Sequence, residues 1–208
     1  MTVTALMKDF MLKIHVGKRQ SITASKLVLG SITTQSWARI SDRNVKNVSD
    51  ELLKGMLRLY NENFTEINEE RFTKYARFFK KTTYVYVYNN EVKGYCLYYI
   101  KPSISSFRLK RTATLYSFTV DRRCRRQGIG LKMLQKSLLE MRLNSIDRIN
   151  LYVDINNEPA INLYKKVGFE ITEEVMDICG PGKKCYKMEI EFDKLEADPQ
   201  FEELTIYT

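Results

Sequence analysis

The sequence predicts one mixed α/β domain with a short extension at each end. Three observations lead there. β-rich and helix-period runs follow one another in the order β-α-α-β-β-β-α-β-α-β-β. The chain has 208 residues, of which 44% are hydrophobic and 28% charged, enough for one real core and too apolar for global disorder. A glycine-bearing turn joins a strand to a helix late in the order.

Residues 1–36 read as an extension. Val3, Leu6, Met7, Phe10, Met11 and Ile14 recur at helical spacing, so an amphipathic helix is expected, packed on the body or on a second subunit, which makes a homodimer one expected assembly. "WARI" from Trp37 reads as a short strand. "SDELLKGMLRLYNENF" opens on Ser49 as an N-cap and carries Leu52, Leu53, Met56, Leu57 and Tyr60 on one face. "NEERFTKYARFFKK" is a second helix, "TTYVYVYNNEVKGYCLYYI" a hairpin, and "TATLYSFTV" a further strand.

The spacing of Leu131, Leu134, Leu138 and Met141 predicts a helix over Gly130–Leu143, followed by the strand "RINLYVDI". In "EPAINLYKKVGF", Pro159 fits the first turn of a helix, where a missing N–H costs nothing, and Gly168 fits its left-handed C′ position. "FEITEEVMDI" and "KKCYKMEIEF" form a last hairpin around Gly180-Pro181-Gly182. Residues 194–208 form an acidic tail.

No apolar run approaches the ~20 residues that span a bilayer, and the N-terminus lacks the zones of a secretory signal, so a cytoplasmic protein without a membrane partner is expected. The four cysteines have no paired C-x-x-C spacing. A zinc site is therefore not expected, and free thiols are the simplest reading, although Cys179 and Cys185 could face each other across their hairpin.

The formal net charge is +9 and unevenly spread, because the stretch from Glu191 onward is strongly acidic. The body is thus more basic than the total, which favours anionic partners such as phosphates. A solvated basic surface would read the same way.

The turn "DRRCRRQGIG" narrows the choice. A helix N-terminus offers unpaired N–H groups and partial positive charge, Gly128 and Gly130 let backbone approach a ligand, and flanking arginines add charge: the parts of a diphosphate cradle. An ordinary glycine-bearing β-to-α turn has the same letters. A dinucleotide fingerprint would place a third glycine where Met133 stands, and the Gly-Lys-Ser/Thr of a P-loop is absent.

A second segment, "NNEPAINLYKKVGF", follows at about thirty residues. Together the two resemble the signatures of the GNAT acyltransferases: Arg/Gln-x-x-Gly-x-Gly/Ala at Arg125–Gly130, then Asn-x-x-Ala-x-x-Leu-Tyr-x-x-x-Gly-Phe from Asn157 to Phe169. The resemblance covers roughly residues 37–193 and is sharp from Leu115 to Phe169. It implies a mostly antiparallel sheet flanked by helices and splayed between its fourth and fifth strands. It also implies transfer of an acetyl group from acetyl-coenzyme A to a primary amine, with no metal.

The same resemblance assigns residues. Main-chain groups of Arg125, Arg126, Gln127, Gly128, Ile129 and Gly130 would cradle the cofactor's diphosphate. The edge at Phe118, Thr119 and Val120 would pair with the pantetheine arm and polarise the thioester, and Asn157 would hold a pantetheine amide. Tyr164 would donate a proton to the leaving thiolate. Each has a plainer alternative: Tyr164 as a core ring, Asn157 as a helix cap, the arginines as solvated surface.

Family members that modify ribosomal-protein N-termini carry a glutamate where this chain has Tyr152. Asp154, two residues on, is the substitute candidate for moving the amine proton, against a competing role as salt bridge or loop cap. The sole histidine, His15, lies outside the resemblance. A non-catalytic acyl-coenzyme A sensor or scaffold is the first alternative. A nucleic-acid-binding protein, suggested by the basic body and thirteen tyrosines, is disfavoured because those tyrosines fall mostly in strand-like runs and no nucleic-acid motif appears.

Overall fold

The computed structural model describes residues 28, 32–34, 36–65, 67–105 and 108–192. The expected amphipathic helix of residues 3–14, His15 and the acidic tail lie outside them.

The elements are β1 (Val45–Asn47), α1 (Asp50–Asn63), α2 (Glu69–Phe78), β2 (Thr83–Tyr88), β3 (Glu91–Ser105), β4 (Arg108–Val120), α3 (Ile129–Leu143), β5 (Arg148–Asp154), α4 (Glu158–Lys166), β6 (Glu170–Met176) and β7 (Lys184–Glu191). They form a seven-stranded sheet in the order β1-β2-β3-β4-β5-β7-β6, antiparallel except for β4 against β5. The element order and mixed sheet agree with the sequence reading, with one correction. "WARI" is not a strand; the first strand is Val45–Asn47. Trp37–Ile40 runs along α3 instead, where Asn144 Oδ1 accepts from Ala38 N–H (2.7 Å) and Glu140 Oε1 from Ile40 N–H (3.0 Å). Side chains took the place of a neighbouring strand, which no local pattern announces.

Helices α1, α2 and α4 each have a local reason to start. The Ser49 side chain accepts from Leu52 N–H at 3.3 Å, and Asn68 accepts from Arg71 N–H at 2.9 Å, so α1 and α2 each begin with one orphan donor satisfied. α4 is capped by Asn157 and closed by Gly168 at φ 95, with Phe169 N–H on Tyr164 C=O and Gly168 N–H on Lys165 C=O, both 3.0 Å. That pair of bonds is a Schellman closure, and it turns the chain straight into β6.

Two apolar layers cover the sheet. On one face α3 and α4 bury Met133, Leu134, Leu138, Met141, Ile161 and Tyr164 against Cys96, Tyr98, Ile100, Leu115 and Ile149. On the other, α1 and α2 bury Met56, Leu59, Tyr60 and Phe72 against Val85, Tyr95 and Leu97. From Tyr95 to Tyr98 the residues of β3 alternate between the two layers, the period-2 signature of a sheet buried on both sides.

Beside this packing lies the device that shapes the site. β3 pairs Leu97 with Ser117 and Tyr98 with Leu115, leaving Tyr116 as an extra residue on β4. Such a bulge bends its strand and raises local twist. β4 pairs with β5 only from Thr112–Arg148 to Leu115–Leu151, although β4 runs on to Val120 and β5 to Asp154. The two strands part where the bulge falls.

Gly55 marks the closest approach of α1 to β3. A Cβ there would lie 2.6 Å from Val92 Cγ2 and 2.8 Å from Val92 Cβ. Alanine favours an exposed helix interior over glycine by ~1 kcal/mol, whereas overpacking costs ~1–3 kcal/mol. Because Val92 is β-branched and itself buried, the clash prevails. Gly55→Ala is expected to lower stability in urea unfolding by ~1–2 kcal/mol; an unchanged or raised midpoint would show that β3 yields there.

Candidate active site

A cleft of about 700 Å³ opens where β4 leaves β5, between the N-termini of α3 and α4 and the C-terminus of α1. Of the residues singled out in the sequence, Phe118, Thr119, Val120, Arg125, Arg126, Gly128, Gly130, Asn157 and Tyr164 line it together. Gln127 and Ile129 do not. Gln127 is exposed, and the Ile129 side chain packs into the core, so both belong to the turn through their main chain.

The turn has the form of an anion cradle. Gly128 is the N-cap of α3 at φ 78, a left-handed conformation, and no side chain caps the helix. Lys132 N–H is the first to bond back to Gly128 C=O, at 2.9 Å, so the N–H groups of Ile129, Gly130 and Leu131 precede the ladder. These orphan donors and the helix dipole suit a phosphate. Gly130 has a different reason from the one expected: a Cβ there would sit 3.2 Å from both Leu163 Cδ2 and Phe118 Cζ. It allows α3 to close against α4 and β4 rather than against a ligand.

The arginines divide by partner. Arg123 reaches the buried carboxylate of Asp121 at 3.0 Å. Arg122 donates to Glu62 C=O at 3.0 Å and Arg125 to Asn63 Oδ1 at 2.6 Å and Val120 C=O at 3.1 Å. Arg126, at φ 60, has no ion-pair or hydrogen-bond partner among the described residues and faces the cleft.

Tyr164 lies under the cleft, 7% exposed, with its ring 6.2 Å from Phe118 and 5.9 Å from Phe169. Burial, and then the nearby Cys96, push its phenol well above the ordinary value of 10.0. It therefore stays protonated, and its hydroxyl makes no hydrogen bond among the described residues. Asn157 caps α4 by accepting from Ala160 N–H at 3.3 Å and also lines the cleft, which leaves its amide N–H₂ available.

Asp154 is engaged elsewhere. Its Oδ1 accepts from Asn156 N–H (2.9 Å) and Asn156 Nδ2 (3.1 Å), and it does not line the cleft. The carboxylate holds the turn into α4, the loop-cap reading. Tyr152 is 39% exposed on the sheet face away from α3 and α4.

Two further features were not disclosed by the sequence, and a third corrects its simplest reading. Asn63 and Phe64 line the cleft from the end of α1, some 60 residues from the turn they touch, a distance that no local pattern bridges. The bulge turns Tyr116 toward Tyr75 (4.7 Å) and Tyr99 (6.2 Å), a half-buried aromatic cluster on the α1/α2 side of the parted strands. Burial pushes the Tyr116 phenol up to about 12. Finally, Cys179 and Cys185 form a disulfide across the β6–β7 hairpin, with Cα atoms 6.2 Å apart, so the free-thiol reading fails for this pair and holds for Cys96 and Cys124. The turn at Gly180 (φ 132) and Gly182 (φ 71) brings the two together.

Comparison with known proteins bears on the family and the fold. The family model described as acetyltransferase (GNAT) matches residues 51–169. An N-alpha-acetyltransferase of Sulfurisphaera tokodaii is 30% identical over 122 residues, covering 56% of this chain and 73% of that protein. Among solved structures, the NatC complex bound to Gag peptide and CoA aligns with TM-score 0.64 at 19% identity, over 71% of this chain and 97% of that one. Arabidopsis thaliana Naa50 in complex with a CoA-Ac-MVNAL bisubstrate analogue aligns with TM-score 0.59 at 24% identity, over the same shares.

The electrostatics of the turn can be tested by pH. The hydrogen bond from Arg123 holds Asp121 down to about 2, from an ordinary 3.8. A carboxyl depressed on folding stabilises the fold above its unfolded value and loses that contribution as pH falls through its folded value. Wild-type protein is therefore expected to lose stability between pH 4 and pH 2 more steeply than Asp121→Asn, in urea midpoints measured across that window. Parallel curves would remove Asp121 as the anchor of the turn.

Proposed function

The chain belongs to the GNAT acetyltransferase family and is an N-acetyltransferase, and from that premise we propose that it delivers acetyl groups from acetyl-coenzyme A to the α-amine of a peptide or protein N-terminus. The observation that carries the reading is the parting of β4 and β5 over a cleft with an uncapped helix N-terminus on one side and the unpartnered Tyr164 hydroxyl on another.

The residues present fit this donor. N–H groups of Ile129, Gly130 and Leu131 receive the diphosphate, and Arg126 adds charge, with the donors that Arg122 and Arg125 have left over. The edge of β4 from Phe118 to Val120, which β5 no longer covers, pairs with an extended arm and offers an N–H to a carbonyl oxygen. Asn157 donates its amide N–H to the same arm. When bound, acetyl-coenzyme A supplies an activated thioester. Tyr164 then gives its proton to the departing sulfur, whose thiol has a pKa of ~8.5 like that of cysteine.

Two observations support an α-amine. The archaeal relative is an N-alpha-acetyltransferase. In addition, the one carboxylate that sequence reasoning put forward as base is bound to Asn156. A lysine amine, pKa ~10.4, is about one part in a thousand free at pH 7, while an α-amine near ~8 is about a tenth free and can lose its proton to water. The acceptor then approaches from the side of Tyr116 and Tyr152, opposite the cradle.

Release of free coenzyme A across a panel of N-terminal peptides, lysine peptides and polyamines tests the acceptor; turnover confined to lysine or polyamine would overturn it. Gly128→Asp should weaken coenzyme A binding at least tenfold, since the added charge faces the diphosphate; a Cβ there meets nothing within 4 Å, but φ 78 strains any side chain by ~1–2 kcal/mol, so a urea midpoint checks that the fold is retained. Tyr164→Phe should lower turnover by ~10²-fold with coenzyme A affinity little changed, and full turnover would return Tyr164 to the core. Asp154→Asn should leave the pH–rate profile in place; a flattened alkaline limb would restore its carboxylate to the proton path.

A further inference from the structure

The strongest unexplained feature of the cleft is the convergence of two guanidinium groups on one neutral side chain. Asn63 is the last residue of α1, and its Oδ1 accepts from Arg125 Nη2 at 2.6 Å and Arg122 Nε at 3.4 Å. Its Nδ2 donates to Leu59 C=O at 2.8 Å, which fixes the carboxamide so that the oxygen faces the arginines. Arg122 also takes the orphan carbonyl of Glu62. No carboxylate within the cleft lining neutralises either cation. Both arginines line the cleft and retain N–H donors beyond those used here.

We propose that Asn63 is a positioning residue that links the cofactor cleft to the acceptor side of the site. This rests on the cleft being the coenzyme A site. A diphosphate at the α3 N-terminus draws the Arg122 and Arg125 guanidiniums into fixed orientations, because charge-assisted bonds to an anion are stronger than those they make to neutral oxygens. Their remaining donors are already on Asn63 and Glu62, so fixing the arginines fixes the end of α1.

From there the constraint passes to Phe64, which lines the cleft, and to Tyr60. Phe64 N–H bonds Tyr60 C=O at 3.1 Å, and Tyr60 Oη accepts from Asn68 N–H at 3.2 Å. Tyr60 stacks on Phe72 at 4.4 Å, Phe72 meets Tyr95 at 5.3 Å, and the Tyr95 hydroxyl bonds Ser117 Oγ at 3.0 Å, one residue past the bulge. The connector between α1 and α2 and the aromatic side of β4 are thus tied to the occupancy of the cradle. Cofactor binding orders the acceptor side before the acceptor arrives.

Hydrogen exchange followed by mass spectrometry on the full chain, with and without saturating coenzyme A, tests this. In wild-type protein coenzyme A should slow exchange both at the turn, residues 125–132, and at Leu59–Thr65, the latter at least tenfold. Asn63→Ala should bind coenzyme A within threefold of wild type, keep the protection at the turn, and lose the effect at Leu59–Thr65 to less than threefold.

Tenfold protection of Leu59–Thr65 in Asn63→Ala, or none there in wild type with the turn protected, would overturn the link while leaving the cofactor reading intact. A loss of coenzyme A affinity beyond threefold in Asn63→Ala would overturn it too, by making Asn63 a cofactor ligand. Wild-type protein without measurable coenzyme A binding would overturn the cofactor reading and the link with it.

Discussion

The rest of the site depends on the release of β4 from β5 beyond Leu115 and Leu151. A strand edge left unpaired inside a protein carries N–H and C=O groups that must find partners. Here the edge opens onto a cleft rather than onto packed side chains. Two features hold it open. The extra residue Tyr116 bends β4 at the point of parting, and Phe118 packs against Leu163, Tyr164 and the helix start at Gly130. The Phe118 ring works as a wedge, and glycine at position 130 is what lets α3 come down beside it. Strand geometry and helix packing thus fix the same opening independently.

The charge of the turn serves two purposes that a count of residues cannot separate. Arg122, Arg123 and Arg125 spend donors on Glu62, Asp121, Asn63 and Val120, which brace the turn against α1 and the end of β4. Exposed ion pairs contribute little to stability, but Asp121 is 2% exposed, and a buried carboxylate without its cations would be costly. The bracing is therefore structural first. What remains for an anion is the orphan N–H set of α3, Arg126, and the unused donors of Arg122 and Arg125. The backbone supplies position and the side chains supply field.

Most of the fold was legible because its signals are local. Ser49 and Asn157 cap helices, Gly168 ends one, and the continuous apolar run Tyr95–Ile100 reads as a strand. The form of the turn was legible for the same reason, since strand, glycine turn and helix are contiguous. What stayed hidden is what the chain brings together over long separations. Asn63 meets Arg125 across 62 positions, and Trp37–Ile40 fastens to α3 across about a hundred. The bulge at Tyr116 depends on register with β3, and a sequence shows alternation but not which residue its partner skips. The Cys179–Cys185 pair was readable as a facing pair, yet the bond depends on hairpin geometry that spacing alone leaves open.

The two sides of the opening differ in chemistry, and the difference orders the reaction. On the α3/α4 side are cationic and N–H donors suited to a bound anion, and a phenol that burial keeps protonated. On the α1/α2 side are the rings of Tyr75, Tyr99 and Tyr116, and burial raises Tyr75 and Tyr116, so neither of those two is a ready base at neutral pH. On the proposed reading, Tyr164 supplies a proton from the cofactor side and the amine loses its proton to solvent on the other. A site built this way depends less on drawing a proton from a reluctant amine than on holding an already neutral one against the thioester. Its gain comes from placement, for which well-oriented reactants can be worth ~7–11 kcal/mol, and placement is what a braced α1 and a wedged β4 provide.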